Sequence, residues 1–351
     1  MQRVKDVAFP GLGIDTFVIN PIAFSIGKIS VAWYSLIITT GIMLAILYVW
    51  FRFKEAGLTI DDLLDFSLAV VPCGIIGARL YYVIFEFEYF YVEGDFFGTL
   101  WEMAQIWNGG LGIYGGIIAG GLAAVTVAHF KKIKLLKILD MLAPGVMMAQ
   151  AIGRWGNFTN VEAFGGPTSA PWRMCGTSIE RVLLRQTEDL ETKFMILEGE
   201  LGAHPTFLYE SLWNIIGFAV IYFVFVRNKK LHKIDGQMFY SYMIWYGLGR
   251  FWIEGLRTDS LYIGGVIRVS QMVACISFLV GSGLMIYGLI RYNKTGKGKM
   301  ILVIPRDEKG KIITEKEAKE LENLKRIKEE KRKNGTNNKR KRSSAKGKRG
   351  H

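Results

Sequence analysis

The chain has 351 residues, half of them hydrophobic and 13% aromatic, with a formal net charge of +13. Apolar runs near twenty residues recur along it. This excludes a soluble globule and implies an all-α polytopic membrane protein, because helices satisfy their own backbone inside lipid. The positive charge is concentrated after residue 290 and in short loops between apolar runs, so it reports topology and a tail, and nucleic acid is not an expected partner.

In chain order, residues 1–30 lack the basic start, apolar middle and small-residue cleavage site of a signal peptide, and are expected to be mature protein. Seven transmembrane helices are predicted at roughly 31–51, 64–84, 109–130, 136–152, 207–226, 237–255 and 266–290. Arg52 and Lys54 follow the first. Lys131, Lys132, Lys134 and Lys137 separate the third and fourth, Arg227, Lys229, Lys230 and Lys233 the fifth and sixth, and Arg291, Lys294, Lys297 and Lys299 follow the last. The 85–108 loop carries Glu86, Glu88, Glu93, Asp95 and Glu102 without a Lys or Arg. The positive-inside rule therefore places the N-terminus outside and the C-terminus in the cytoplasm. The membrane domain is expected over 1–292, with loop 153–206 as a small extracytoplasmic head region. Residues 293–351 read as a charged cytoplasmic tail: 315–333 suit a polar helix, 334–351 a disordered basic segment drawn to anionic lipid. Cys73, Cys175 and Cys275 lie far apart with no metal-ligand or redox spacing and read as small hydrophobes, so neither a metal nor a cofactor is expected.

The densest polar chemistry lies at the end of the fourth span, in the run Gly153-Arg154-Trp155-Gly156-Asn157-Phe158-Thr159-Asn160-Val161-Glu162-Ala163-Phe164-Gly165-Gly166. The glycines allow tight turns and close backbone approach, while Arg154, Asn157 and Asn160 supply a charged fork and two amides suited to a phosphate or carboxylate. A juxtamembrane arginine snorkelling to the interface fits the same residues. On the sixth span Tyr246, Arg250, Glu254 and Arg257 recur at steps of four, four and three, which makes one polar stripe on an otherwise apolar helix. Such residues face a bundle interior or water, as a ligand site or as an ion-paired brace between helices. Arg154 lies about 17 residues beyond Lys137, Arg250 about 17 beyond Lys233, Tyr114 about 17 before Lys131 and Tyr34 about 18 before Arg52. All four fall roughly 25 Å from the inner marker, at the outer edge of the hydrocarbon, and Arg79 sits at a comparable level.

An outer-leaflet layer rich in arginine implies an anionic ligand, and a site open to lipid suggests a phospholipid headgroup. No zinc HExxH pair, serine nucleophile elbow or Walker phosphate loop is present. Gly109-Gly110, Gly115-Gly116 and Gly120-Gly121 around Tyr114 serve helix packing or the approach of a ligand. A lipid or anion transporter would place polar groups at the midplane and open an inner exit, whereas the inner halves of these helices are nearly free of charge. A lipid-binding scaffold would need no converging stripe.

The run GRWGNFTNVEAFG resembles the signature of the prolipoprotein diacylglyceryl transferases. Trp33-Tyr34, Gly77-Ala78-Arg79, Gly109-Gly110-Leu111, Tyr114-Gly115-Gly116, His204-Pro205-Thr206-Phe207-Leu208-Tyr209-Glu210 and Tyr246 to Glu254 follow that family's order over about residues 15–292. The resemblance implies a bacterial cytoplasmic-membrane enzyme that moves diacylglyceryl from phosphatidylglycerol to the lipobox cysteine of a prolipoprotein signal peptide, releasing glycerol 1-phosphate. It also assigns roles. Arg154 binds the phosphate, Asn157 and Asn160 shape the headgroup pocket, and Glu162 orients the arginine or the glycerol hydroxyls. Arg250 stabilises the leaving phosphate, with Glu254 holding its guanidinium and Arg257 as an outer gate or secondary anchor. Tyr34, Arg79 and Tyr246 line the substrate site, and membrane lipids surround it. The sequence departs from the family at Tyr114, where many members carry a histidine considered as general base. Tyrosine, with an ordinary pKa near 10, is a poor base at neutral pH, so Tyr114 acts as donor or relay, or the arginine field alone favours the thiolate.

Overall fold

The computed structural model describes residues 5–27, 29–106, 109–258, 262–263, 267–296, 303–308, 310–314 and 316–327. The α-helices α1 (Trp33–Glu55), α2 (Ile60–Phe85), α3 (Phe96–Ala104), α4 (Ile113–Phe130), α5 (Leu135–Thr159), α6 (Thr177–Gln186), α7 (Leu190–Leu197), α8 (Thr206–Ile221), α9 (Gln237–Leu256) and α10 (Val269–Thr295) lie among them. A π-helical segment, Tyr222–Arg227, extends α8. A further helix occupies 316–327. The strands form two-stranded antiparallel pairs: β1 (Lys5–Phe9) with β2 (Ile14–Ile19), β3 (Ile22–Ile26) with β4 (Ile29–Ala32), β5 (Pro167–Thr168) with β6 (Gly202–Ala203), and β7 (Tyr262–Ile263) with β8 (Ile267–Arg268).

Among the described residues six helices are long and apolar enough to cross a membrane by length and composition: α1, α2, α4, α5, α8 with its π extension, and α10. These define a polytopic membrane protein. The remaining expected span, at 237–255, coincides with α9, a helix of 20 residues. It falls outside that set because Arg250, Glu254 and several glycines and tyrosines dilute its apolar content.

The chain divides into two compact units, Met1–Phe53 with Leu136–Ile301 and Lys54–Leu135 with Leu302–His351. In the first, α9 packs against α8 and α10. Asp140 of α5 accepts hydrogen bonds from the Gly236 and Phe239 amides at 2.6 and 2.9 Å, and its carboxylate also meets His232 Nε2 at 3.2 Å. The N-terminus of α9, with its orphan amides, is thereby pinned to α5. The same unit holds a separate apolar core in which Val7 of β1, Ile179 and Leu183 of α6, Ile196 of α7, Met174 and Phe207 are buried together. The Ala8 and Cys175 backbones exchange hydrogen bonds beside it. The 153–206 region therefore closes over its own hydrophobic cluster with the N-terminal hairpin as a wall.

In the second unit α2 and α4 approach backbone to backbone. A Cβ built on Gly115 would stand 2.2 Å from the Gly77 carbonyl oxygen, so this crossing requires glycine. Thr59 and Asp62 form a reciprocal capping box at the start of α2. Asp62 also holds Lys131 at 2.8 Å and Arg306 at 2.7 Å. Arg306 belongs to the segment after residue 302, which composition marks only as charged tail. The Ile304 amide bonds the Ala56 carbonyl, Arg306 Nε donates to the Gly57 carbonyl, and Ile304 and Ile312 are buried. A Thr314–Glu317 box then opens the 316–327 helix, which covers part of the expected 315–333 helix. The expected disordered stretch 334–351 lies outside the described residues.

Candidate active site

The run from Gly153 continues α5 through Thr159 instead of turning at its first glycine. Nothing from Gly153 to Thr159 stops a helix, and the two glycines, three residues apart, face α1: a Cβ on Gly153 would lie 3.1 Å from Ile38 Cδ1 and one on Gly156 3.0 Å from the Tyr34 ring. Tyr34 is thus a packing partner of the motif helix. On another face Trp155 donates to Ser211 Oγ at 3.2 Å and stacks edge-on against Phe207, fixing α5 to α8.

Beyond Thr159 the chain turns through Val161 (φ 45°) and Ala163 (φ 57°), two non-glycine residues in the left-handed region. Each costs roughly 1–2 kcal/mol. The turn is held by the Glu162 amide on the Asn157 carbonyl at 3.1 Å and by Thr206 Oγ1 donating to the Ala163 carbonyl. Its result is to aim Glu162 back at the helix end, where one carboxylate oxygen accepts from Asn157 Nδ2 at 3.1 Å and Asn160 Nδ2 at 3.2 Å. Glu162 therefore orients the two asparagines. Arg154 is reached only through Asn157, whose Oδ1 accepts from Arg154 Nη1 at 3.4 Å.

The ion pairs centre on Glu210, one turn into α8. Its carboxylate receives Arg154 Nε of α5 and Arg250 Nη1 of α9, and Arg257 Nη1 stands 3.9 Å away. Arg250 Nη2 reaches Glu254 at 2.6 Å. Arg268 Nη1 donates to the Glu254 carbonyl, closing the C-terminal end of α9. The stripe of Arg250, Glu254 and Arg257 does converge with Arg154, as its spacing predicts. The Tyr246 ring lies tilted against Tyr242 with centroids 5.9 Å apart, and the Tyr242 hydroxyl accepts from Gln150 of α5 at 3.0 Å. Glu210 is 7% exposed and Glu254 2%, whereas Arg154 is 26% exposed, which makes Arg154 the most open member of the cluster.

Arg79 and Tyr114 belong to the second unit. Arg79 donates to the Glu102, Met103, Gly109 and Gly110 carbonyls at 2.5–3.0 Å and lies 4.6 Å over the Phe90 ring. Four of its five N–H donors are thus given to backbone, which accounts for the left-handed Gly109 and Gly110 that present those carbonyls. The guanidinium expected to meet an anion thus holds the backbone at Glu102, Met103, Gly109 and Gly110. The Tyr114 ring lies 6.1 Å from Tyr81.

Glu210 and Arg268 were not among the sequence-derived candidates. The signal for Glu210 was available: a carboxylate one turn into an apolar span is costly toward lipid and marks a paired, inward position.

Helices long and apolar enough to span a membrane, a strained turn that aims amides, and an ion-paired arginine cluster left partly open define an integral-membrane protein with a polar cluster among its helices. Residues 21–287 match the family model described as prolipoprotein diacylglyceryl transferase. The chain belongs to that family. It is 42% identical over 281 residues, 79% of this chain and 97% of the relative, to the phosphatidylglycerol–prolipoprotein diacylglyceryl transferase of Streptococcus uberis. It is 41% identical to that of Lysinibacillus sphaericus, covering 80% of this chain and 96% of the relative, and 40% identical to that of Staphylococcus aureus strain MSSA476, covering 80% and 94%. The tail after residue 300 lies beyond the family match.

Proposed function

We propose that this chain transfers the diacylglyceryl group of phosphatidylglycerol to the lipobox cysteine thiol of prolipoproteins, the first step of lipoprotein maturation, in the bacterial cytoplasmic membrane. The thiolate sulfur attacks the glyceryl carbon that carries the phosphate ester. The S–C bond forms, the C–O bond breaks, and the electron pair leaves on the phosphate oxygen of glycerol 1-phosphate; the thiol proton passes to a base or to water. The nucleophile belongs to the substrate, so the protein's task is to hold the phosphodiester and stabilise the charge that builds on the departing phosphate.

The observation that carries this reading is the cluster of Arg154 and Arg250 on Glu210, with Arg154 open to a ligand. Arg154 binds the phosphate, Asn157 and Asn160 hold the headgroup hydroxyls with Glu162 as their common acceptor, and Arg250, fixed by Glu254, meets the leaving phosphate. Arg257 stands at the outer edge. Tyr34 and Tyr246 shape the pocket through the helices they pack. Tyr114 as donor or relay and Arg79 at the substrate are assigned by resemblance, and the bonds Arg79 makes to carbonyls favour an ordering role instead. The N-terminus outside, seven spans and the 153–206 head on the outer side follow from the distribution of basic loops and complete the proposal.

The test incubates purified protein with phosphatidylglycerol and a lipobox peptide and looks for the diacylglyceryl thioether by mass spectrometry. A protein that binds the lipid and leaves the peptide unmodified would return the reading to lipid transport or scaffolding.

A further inference from the structure

Glu210 touches both principal arginines and has no part in the reaction as drawn above. Its two oxygens are divided between them, Arg154 Nε on one and Arg250 Nη1 on the other. This division leaves the Nη edge of Arg154 off Glu210, and among the described residues Nη1 makes the 3.4 Å bond to Asn157. It also occupies donors that a phosphate oxygen would otherwise use.

A phosphodiester carries one negative charge and the departing monoester two, so the hold of a bare arginine site would grow as the reaction proceeds. In a site shielded from water, charge-assisted bonds of that kind slow release. Three arginines against two carboxylates leave the ion-paired cluster with one net positive charge, and replacing Glu210 by glutamine would leave two. We propose that Glu210 is both a positioning residue for Arg154 and Arg250 and the resident counter-ion of the phosphate site. It fixes the two guanidinium planes, and by competing for their N–H donors it weakens their grip on the leaving phosphate so that product departs. The identity of that product rests on the transferase reading; the competition with an anion does not.

The experiment uses the full-length protein in lipid nanodiscs, titrated by calorimetry with inorganic phosphate and with glycerol 1-phosphate, alongside thioether formation on a lipobox peptide and a thermal unfolding check. Glu210→Gln should bind both anions about ten-fold more tightly, the worth of one charge-assisted hydrogen bond. Its product inhibition should sharpen to match, kcat should fall, and KM for phosphatidylglycerol should not rise. Glu210→Asp keeps the charge but is one methylene too short to reach both arginines, and should shift anion affinity the same way by about three-fold; it decides the matter if the glutamine variant does not fold. Unchanged anion affinity in a folded variant would make Glu210 a brace between helices, and weakened affinity would make it a clamp alone; either overturns the proposal. A parent protein that binds phosphate and forms no thioether would sink the transferase reading, while the calorimetric comparison would still judge Glu210.

Discussion

Arg154 meets Glu210 through Nε, so its planar guanidinium keeps a second edge for a phosphate. Lysine offers one ammonium on a different reach and cannot fill both roles. Loss of one charge-assisted bond costs about 1.5–3 kcal/mol, and misplacing the phosphate adds to it, so Arg154→Lys should lower transfer by about 10²-fold or more with the fold intact. Thioether formation across a lipid titration, with a melting curve, measures this; a folded lysine variant that turns over like the parent would leave Arg154 a snorkelling anchor. Arg250 is a poorer probe. Its removal strands the buried Glu254, while Glu210 keeps Arg154, and should destabilise the protein by about 3–5 kcal/mol, visible as a lowered Tm. Tyr114→Phe should reduce turnover without moving the pH optimum, and a phenylalanine variant with parental turnover would remove Tyr114 from the mechanism. The arginines of this cluster were legible in the sequence because charge on an apolar helix is conspicuous. Glu210 was not recognised as their partner, because its pairing joins residues 56 and 40 positions apart (210 less 154, 250 less 210) that only helix packing brings together.

Helix lengths decide how far a count along the sequence can be trusted. Tyr34 with Arg52, Tyr114 with Lys131, and Lys137 with Arg154 lie along or at the end of unbroken helices α1, α4 and α5, so their depth counts run on a helical rise. Lys233 precedes the start of α9 at Gln237, which puts Arg250 13 residues into its helix, about 20 Å along it. The described residues at 303–308, 310–314 and 316–317 escaped composition altogether: their order comes from Arg306 on Asp62, two buried isoleucines and a capping box. Deletion after Lys299, or Arg306→Ala, should lower the stability of the purified protein, the latter by about 1–2 kcal/mol, while turnover stays within ten-fold. An unchanged melting temperature in both would mean that this segment braces nothing. Glu317 adds a pH term. The Lys132 hydrogen bond, with the Thr314 amide and hydroxyl, holds its carboxyl down to about 2, against an ordinary 4.5. Its contribution is present above the ordinary value and is lost as pH falls toward 2, so this contact stays closed at neutral pH.

For the whole molecule, the alternation of basic and acidic loops predicts opposite sides for residues 93 and 230. With Cys73, Cys175 and Cys275 replaced, single cysteines at the exposed positions Glu93 and Lys230 should react with an impermeant thiol reagent outside intact cells at the first and be protected at the second. Equal labelling of both would break the seven-span arrangement, and with it the placement of α9 across the membrane.

The sequence by itself determined the membrane class, the six spans that length and composition support among the described residues, and the arginines that meet in one cluster. Hydropathy and charge cost act locally along the chain: a run of apolar residues is a span whatever its neighbours do, and an arginine within it must face inward. Only the tertiary structure decided which carboxylate the arginines share, that the glycines of the motif helix serve α1 instead of a turn, that Arg79 bonds backbone carbonyls, and that Ile304, Arg306 and Glu317 meet Ala56, Asp62 and Lys132. Each of these depends on the distance between groups remote in sequence. That distance is set by how helices and turns pack, which no local pattern of residues records.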